Sequence, residues 1–239
     1  MQSNDSPISE HESTPDFGPA TLPKLGVGKH QESVTLRSGQ QLRFTISIPR
    51  EPDGRESRPL LVILHYGGKV TPFYGGEVLD ELVGPAFGNL GAILVAPDSL
   101  GGEWTTPDNE QAVVWLTKKV RDVYAVDPKR VALTGYSMGA AGTWFIAGRH
   151  AELFSAALPV SGPAGASRVE VLHTPLYVIH SARDEIFPVA RTRAFVSALQ
   201  TKGANVQWQE LSDPTHYQVA DFVPALTKAE PWLRAVWSR

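Results

Sequence analysis

The sequence predicts an α/β fold: a mostly parallel central sheet with helices on both faces and no separate lid domain. Short, continuous apolar runs recur along the chain, and each suits a strand buried on both faces. Segments with helical periodicity lie between these runs, as a parallel sheet requires. No insertion long enough for a lid domain interrupts the series, and no internal repeat is present. With 239 residues, of which 42% are hydrophobic and 20% charged, the chain can bury the core of one domain.

Met1 to about Lys29 is rich in Ser, Pro, Asp, Glu and Gly and lacks apolar clustering. It predicts a flexible N-terminal tail over 1–30, with an arm lying on the domain as the alternative, and leaves the globular domain to 31–239. From Ser33, residues Val34, Leu36, Leu42, Phe44, Ile46 and Ile48 fall at two-residue spacing around Ser38-Gly39, which predicts a β-hairpin. Buried strands are expected at Leu60–Leu64, Ala92–Ala96, Val131–Leu133, Ala156–Val160 and Leu176–Ile179, and a last, alternating one at Val206–Leu211. Helices are expected at Asn109–Tyr124 after a Pro107-Asp108 start signal, and at Gly139–Arg149, Val189–Gln200 and Val219–Trp237.

Composition narrows the function. The formal net charge is −3 and no Lys/Arg run forms a local patch, so a nucleic-acid partner is not expected. Without cysteine there are no disulfides, thiolate metal sites or cysteine nucleophiles. No apolar run approaches the roughly 20 residues of a membrane span. No basic region followed by an apolar stretch marks a leader, so the compartment stays open, with the cytoplasm favoured over export. No metal or organic cofactor is implied, because the His and acidic residues show no ligand spacing.

Gly135-Tyr136-Ser137-Met138-Gly139 lies between an expected strand and an expected helix. A serine on such a turn stands with its hydroxyl above the sheet edge, and glycines two residues to either side relieve crowding. Ser137 is therefore the candidate nucleophile. It needs a base, and the base needs an orienting acid, in the chain order serine, acid, histidine. Of the four later histidines, His150 lies at the far end of the elbow helix and His173 before a strand. His180 tips a strand, and His216 lies in the loop after the last strand. His216 fits the base. Asp184, in the loop Ser181–Pro188, fits the acid, with Glu185 and Asp213 as competitors. The amides of Gly67 and Met138 are candidate oxyanion donors, with Tyr66 the alternative to Gly67. Tyr66, Trp104 and Phe187 are candidate walls of a substrate pocket, and Phe73 and Tyr74 lie on loops of the same edge.

These motifs, with His65-Tyr66-Gly67-Gly68, Gly142-Thr143-Trp144 and Phe154-Ser155-Ala156-Ala157, resemble the α/β-hydrolase superfamily over roughly residues 33–239. Within it the pattern is similar to compact esterases of the phospholipase/carboxylesterase, feruloyl-esterase and polyhydroxybutyrate-depolymerase-like groups. Those esterases usually have His-Gly where this chain has His65-Tyr66, and Gly-Gly where it has Gly139-Ala140. The resemblance implies hydrolysis of a small-molecule carboxylic ester through an acyl-enzyme. A peptidase, a thioesterase or a deacetylase of sugars would use the same residues. A non-catalytic binding module on the same fold is the alternative from another class.

Overall fold

The computed structural model describes residues 17, 21–50, 57–164 and 172–239. Its centre is one eight-stranded sheet in the order β1-β2-β4-β3-β5-β6-β7-β8. The strands are β1 (Gly28–Thr35), β2 (Gln41–Ile48), β3 (Arg58–Leu64), β4 (Ile93–Pro97), β5 (Val126–Tyr136), β6 (Ala156–Val160), β7 (Leu176–Ser181) and β8 (Val206–Leu211). The β1–β2 hairpin is antiparallel and meets β4 antiparallel, and every pairing from β4 to β8 is parallel.

Alternation along the strands decides how the sheet is covered. In β3, Leu60, Val62 and Leu64 enter one apolar cluster, while Leu61 and Ile63 enter the other. The first cluster holds α3 (Pro107–Val123), α4 (Met138–Arg149) and α5 (Val189–Thr201) against the sheet. The second holds the short helices α1 (Gly75–Val78), α2 (Gly84–Phe87), α6 (Val223–Thr227) and α7 (Glu230–Val236). Helices on both faces of a mostly parallel sheet are the predicted architecture.

Several boundaries differ from the expectation. β1 starts at Gly28 rather than near Ser33, because the ladder from Gly28↔Ile48 to Thr35↔Gln41 uses all of β2. Most of the expected 1–30 tail lies outside the described residues. Within it, Phe17 and Leu22 are buried in the first cluster, and Phe17 stacks on Trp115 at 5.0 Å. The Leu25 amide donates to the Tyr124 hydroxyl at 3.0 Å. The described part of this stretch is thus packed onto the domain. The single helix expected at Val219–Trp237 is instead a 3-10 turn (Val219–Phe222) followed by α6 and α7. Pro224 and Pro231 stand at the first turns of the last two, where their missing amide costs nothing. Residues 75–87, not expected as helical, form α1, a π-type turn (Leu79–Val83) and α2 in succession.

Candidate active site

The parallel register brings the functional loops to one edge. Leu64 pairs with Gly135, Tyr136 with Val160, and Ser181 with Leu211. The loops that follow these strand ends carry Gly67, Ser137, Asp184 and His216.

Ser137 caps the turn from β5 into α4 with φ 56° and ψ −115°, a region side-chain-bearing residues rarely occupy. The neighbouring backbone fixes this geometry. The Ser137 amide donates to the Val160 carbonyl at 3.0 Å, and the Ser137 carbonyl accepts from Ala140 at 2.9 Å. A Cβ on Gly135 would overlap the Gly139 backbone, and one on Gly139 would overlap the Leu64 carbonyl. Glycine at both places lets α4 start directly against β3.

The half-buried Ser137 Oγ lies 2.8 Å from His216 Nε2, and His216 Nδ1 lies 2.9 Å from Asp184 Oδ2. Asp184 Oδ1 accepts from the amides of Ile186 at 3.0 Å and Phe187 at 2.7 Å. Burial opposes its charge, but hydrogen bonds from His180, His216 and the Phe187 amide outweigh that and hold the carboxyl well below the usual carboxylate range. The competing acids are elsewhere. Glu185 accepts from the His216 main-chain amide at 2.8 Å, and Asp213 is bound by the Ser212 hydroxyl at 2.6 Å. Among the other histidines, His150 contacts Glu110 at 2.8 Å at the end of α4, and His173 is exposed before β7.

Gly67 lies beside the start of α4: a Cβ on it would be 3.9 Å from the Met138 Cβ. His65 holds the peptide that carries the Gly67 amide. Its Nε2 accepts from the Ser99 amide at 3.0 Å, so Nδ1 bears the proton it donates to the Tyr66 carbonyl at 2.7 Å. In a trans peptide the amide points opposite the carbonyl, so pinning Tyr66 O aims Gly67 N–H the other way. Burial depresses the His65 pKa, partly offset by its bond to Tyr66 and the field of Glu77.

Two hollows adjoin the serine edge. One, of about 440 Å³, is lined by Tyr66, Gly67, Glu81, Ser137, His216 and Tyr217, among others. The second, of about 390 Å³, is mainly apolar and is lined by Pro163, Ala164, Phe187, Arg191 and Phe195, with Ile186 shared between the two. A larger hollow of about 690 Å³, around Gln209, Asp213, Asp221 and Lys228, includes none of Gly67, Ser137, Asp184 and His216. Tyr66 is fixed by donating to Glu77 at 2.9 Å; burial and that bond raise its pKa far above the ordinary tyrosine value. Of the expected walls, Tyr66 and Phe187 line these hollows. Trp104 does not, and its assignment as a substrate wall is corrected. It is 1% exposed, packs on His65 at 4.8 Å, and donates from Nε1 to the His65 carbonyl at 2.9 Å. Gly142 on α4 leaves room for its Cβ. The ring therefore supports the loop after β3 from below. Tyr217, 73% exposed at the cavity edge, was not singled out from the sequence because its neighbour His216 carried the only chemical signal there.

The chain is 27% identical over 170 residues to the probable feruloyl esterase C of Aspergillus flavus, covering 68% of this chain and 63% of that one. The protein from Aspergillus oryzae matches to the same extent. The chain thus spans less than two thirds of the length of these relatives. Among solved structures, a thermostable esterase superposes with a TM-score of 0.74 at 23% identity, covering 87% of this chain and 62% of the other. S-formylglutathione hydrolase from Staphylococcus aureus superposes with a TM-score of 0.70 at 12% identity, covering 87% and 99%. The fold is that of an α/β-hydrolase. The Dienelactone hydrolase family profile matches residues 97–222, just over half of the sequence and the part that contains Ser137, Asp184 and His216. The chain belongs to the dienelactone hydrolase family.

Proposed function

We propose that this protein is a serine esterase that hydrolyses small carboxylic esters through an acyl-enzyme. The observation that carries the reading is the unbroken relay Ser137 Oγ–His216 Nε2–His216 Nδ1–Asp184 Oδ2, at 2.8 and 2.9 Å. Ser137 attacks the ester carbonyl as His216 takes its proton, and the ionised Asp184 stabilises the imidazolium. The amides of Gly67 and Met138 bind the oxyanion, and the N-terminus of α4 favours the charge developing there. His216 then returns the proton to the leaving alcohol. Water, activated by His216, attacks the acyl carbonyl and releases the acid and free Ser137.

The names of the relatives support an ester as the scissile bond, and the apolar hollow beside Phe187 suits an aryl or acyl group. The test is hydrolysis of p-nitrophenyl acyl esters by the Ser137→Ala variant. A loss in kcat of at least about 10³-fold is expected, with residual rate from the remaining site. Full activity in the variant would remove the reading. A matched panel of oxygen esters, thioesters and anilides then ranks the esterase against thioesterase and peptidase alternatives.

A further inference from the structure

We propose that His180 is a positioning residue for the relay: its imidazole holds the Asp184 carboxylate, and the loop behind it, in the orientation His216 requires. The proposal rests on the serine-hydrolase reading above. His180 lies near the end of β7 and its side chain is fully buried. Its Nε2 is 2.9 Å from the Phe187 carbonyl and 3.2 Å from Asp184 Oδ2. Both neighbours are acceptors, so Nε2 carries the proton; it donates to the Phe187 carbonyl and stands within ion-pair distance of the Asp184 carboxylate. Its Nδ1 is buried with no hydrogen-bond partner among the described residues. An apolar side chain would avoid leaving a buried polar atom unmatched. A packing role therefore does not explain a histidine here, whereas the work of the other nitrogen does.

That work is visible in the carboxylate. The amides of Ile186 and Phe187 pin Oδ1, and two imidazoles converge on Oδ2: His216 at 2.9 Å and His180 at 3.2 Å. Through the Phe187 carbonyl, His180 also ties down the loop whose Phe187 ring packs edge-on to His216 at 5.3 Å. The second donor does two things. It stops the carboxylate from rotating out of line, and it takes up part of the negative charge that would otherwise act on His216 alone. Removing it should loosen Asp184 and make the His216 imidazolium harder to deprotonate.

The remaining ionisable groups around this pair cannot substitute. Glu185 accepts the His216 amide, and the Tyr136 hydroxyl donates to the His216 carbonyl at 2.8 Å. Tyr217 packs edge-on to the His216 ring, Ser137 takes its other nitrogen, and Glu81 lines the same cavity. Exposed Arg183 precedes Asp184, its main-chain amide donating to Ser181 Oγ. On β8, Glu210 is in register with His180 and is engaged by Arg193. None of these side chains donates to Asp184 among the described residues.

The test compares His180→Leu and His180→Gln with the wild-type chain on p-nitrophenyl acetate across pH, with Ser137→Ala assayed alongside. The glutamine amide nitrogen can reach the place of Nε2, and leucine cannot donate. The leucine variant should lose about tenfold in kcat with KM within about twofold, and its acid-side limb in kcat/KM should move up by about half a unit to one unit. The glutamine variant should recover most of both changes. A folded leucine variant with the wild-type acid limb, or a glutamine variant as impaired as leucine, would overturn the proposal. Should leucine prevent folding, nitrogen-15 NMR of the wild-type histidines decides: a proton on His180 Nε2 is required, and a proton on Nδ1 contradicts the assignment. An active Ser137→Ala protein would instead remove the serine reading itself.

Discussion

The chemistry at single residues depends on fixed protons and fixed peptide planes. The proposed relay requires His216 to accept from Ser137 and donate to Asp184, and both contacts are within hydrogen-bond length. Asp184 stays ionised into acid because its donors outweigh the cost of burial, so its own titration lies below the acid limb of any rate profile. That these three residues would be brought together was legible in the sequence: a strand-to-helix glycine turn, an acid after a late strand and a histidine after the last one each leave a local mark. Trp104 was not, because an aromatic ring on an edge loop reads the same whether it faces ligand or core. Its burial and its bond to the His65 carbonyl decide the matter. Trp104→Phe keeps most of the ring but leaves that carbonyl without its donor. We expect a stability loss of about 1–3 kcal/mol by urea denaturation with KM for a small ester nearly unchanged. A raised KM at unchanged stability would return Trp104 to the pocket wall.

At the scale of elements, the site depends on how tightly α4 seats against the end of β3. Gly139 is the contact point, since a side chain there meets the Leu64 and His65 carbonyls. Gly139→Ala should therefore cost at least about 1–3 kcal/mol, the usual penalty for overpacking, and should slow acylation as Met138 and Gly67 move apart. Denaturant midpoints and the rate of p-nitrophenol release check this, and an alanine variant matching wild type in both would contradict it. Strands with continuous apolar runs, such as β3, β4 and β6, were readable because burial on both faces leaves no polar position. The segment 75–87 was harder. Its apolar positions Val78, Leu79, Leu82, Val83, Ala86 and Phe87 do recur at helical spacing, but Gly75, Gly76, Gly84 and Pro85 mask the signal and the π-type turn shifts its phase. The break in the last helical region was written in Pro224 and Pro231, which punctuate what periodicity alone joins.

For the molecule as a whole, a twisted parallel sheet collects loops from distant parts of the sequence at one edge. Ser137 and His216 are 79 residues apart, and Asp184 and His216 are 32 apart. Strand order and register close those distances, and the stack on Trp115 seats Phe17 on the same body. Such long-range packing of Phe17 left no local pattern in a segment dominated by polar residues, so its burial was not legible in the sequence. The family and the fold say that a hydrolase scaffold is present, and the site itself must say whether it acts. The most direct measurement is reaction of the intact chain with a fluorophosphonate probe, followed by peptide mass mapping of the adduct. Stoichiometric modification of Ser137, absent in Ser137→Ala and lost as His216 becomes protonated, is the expected result. An unreacted Ser137, or an adduct mapped to another residue, would contradict the assignment of Ser137 as the nucleophile.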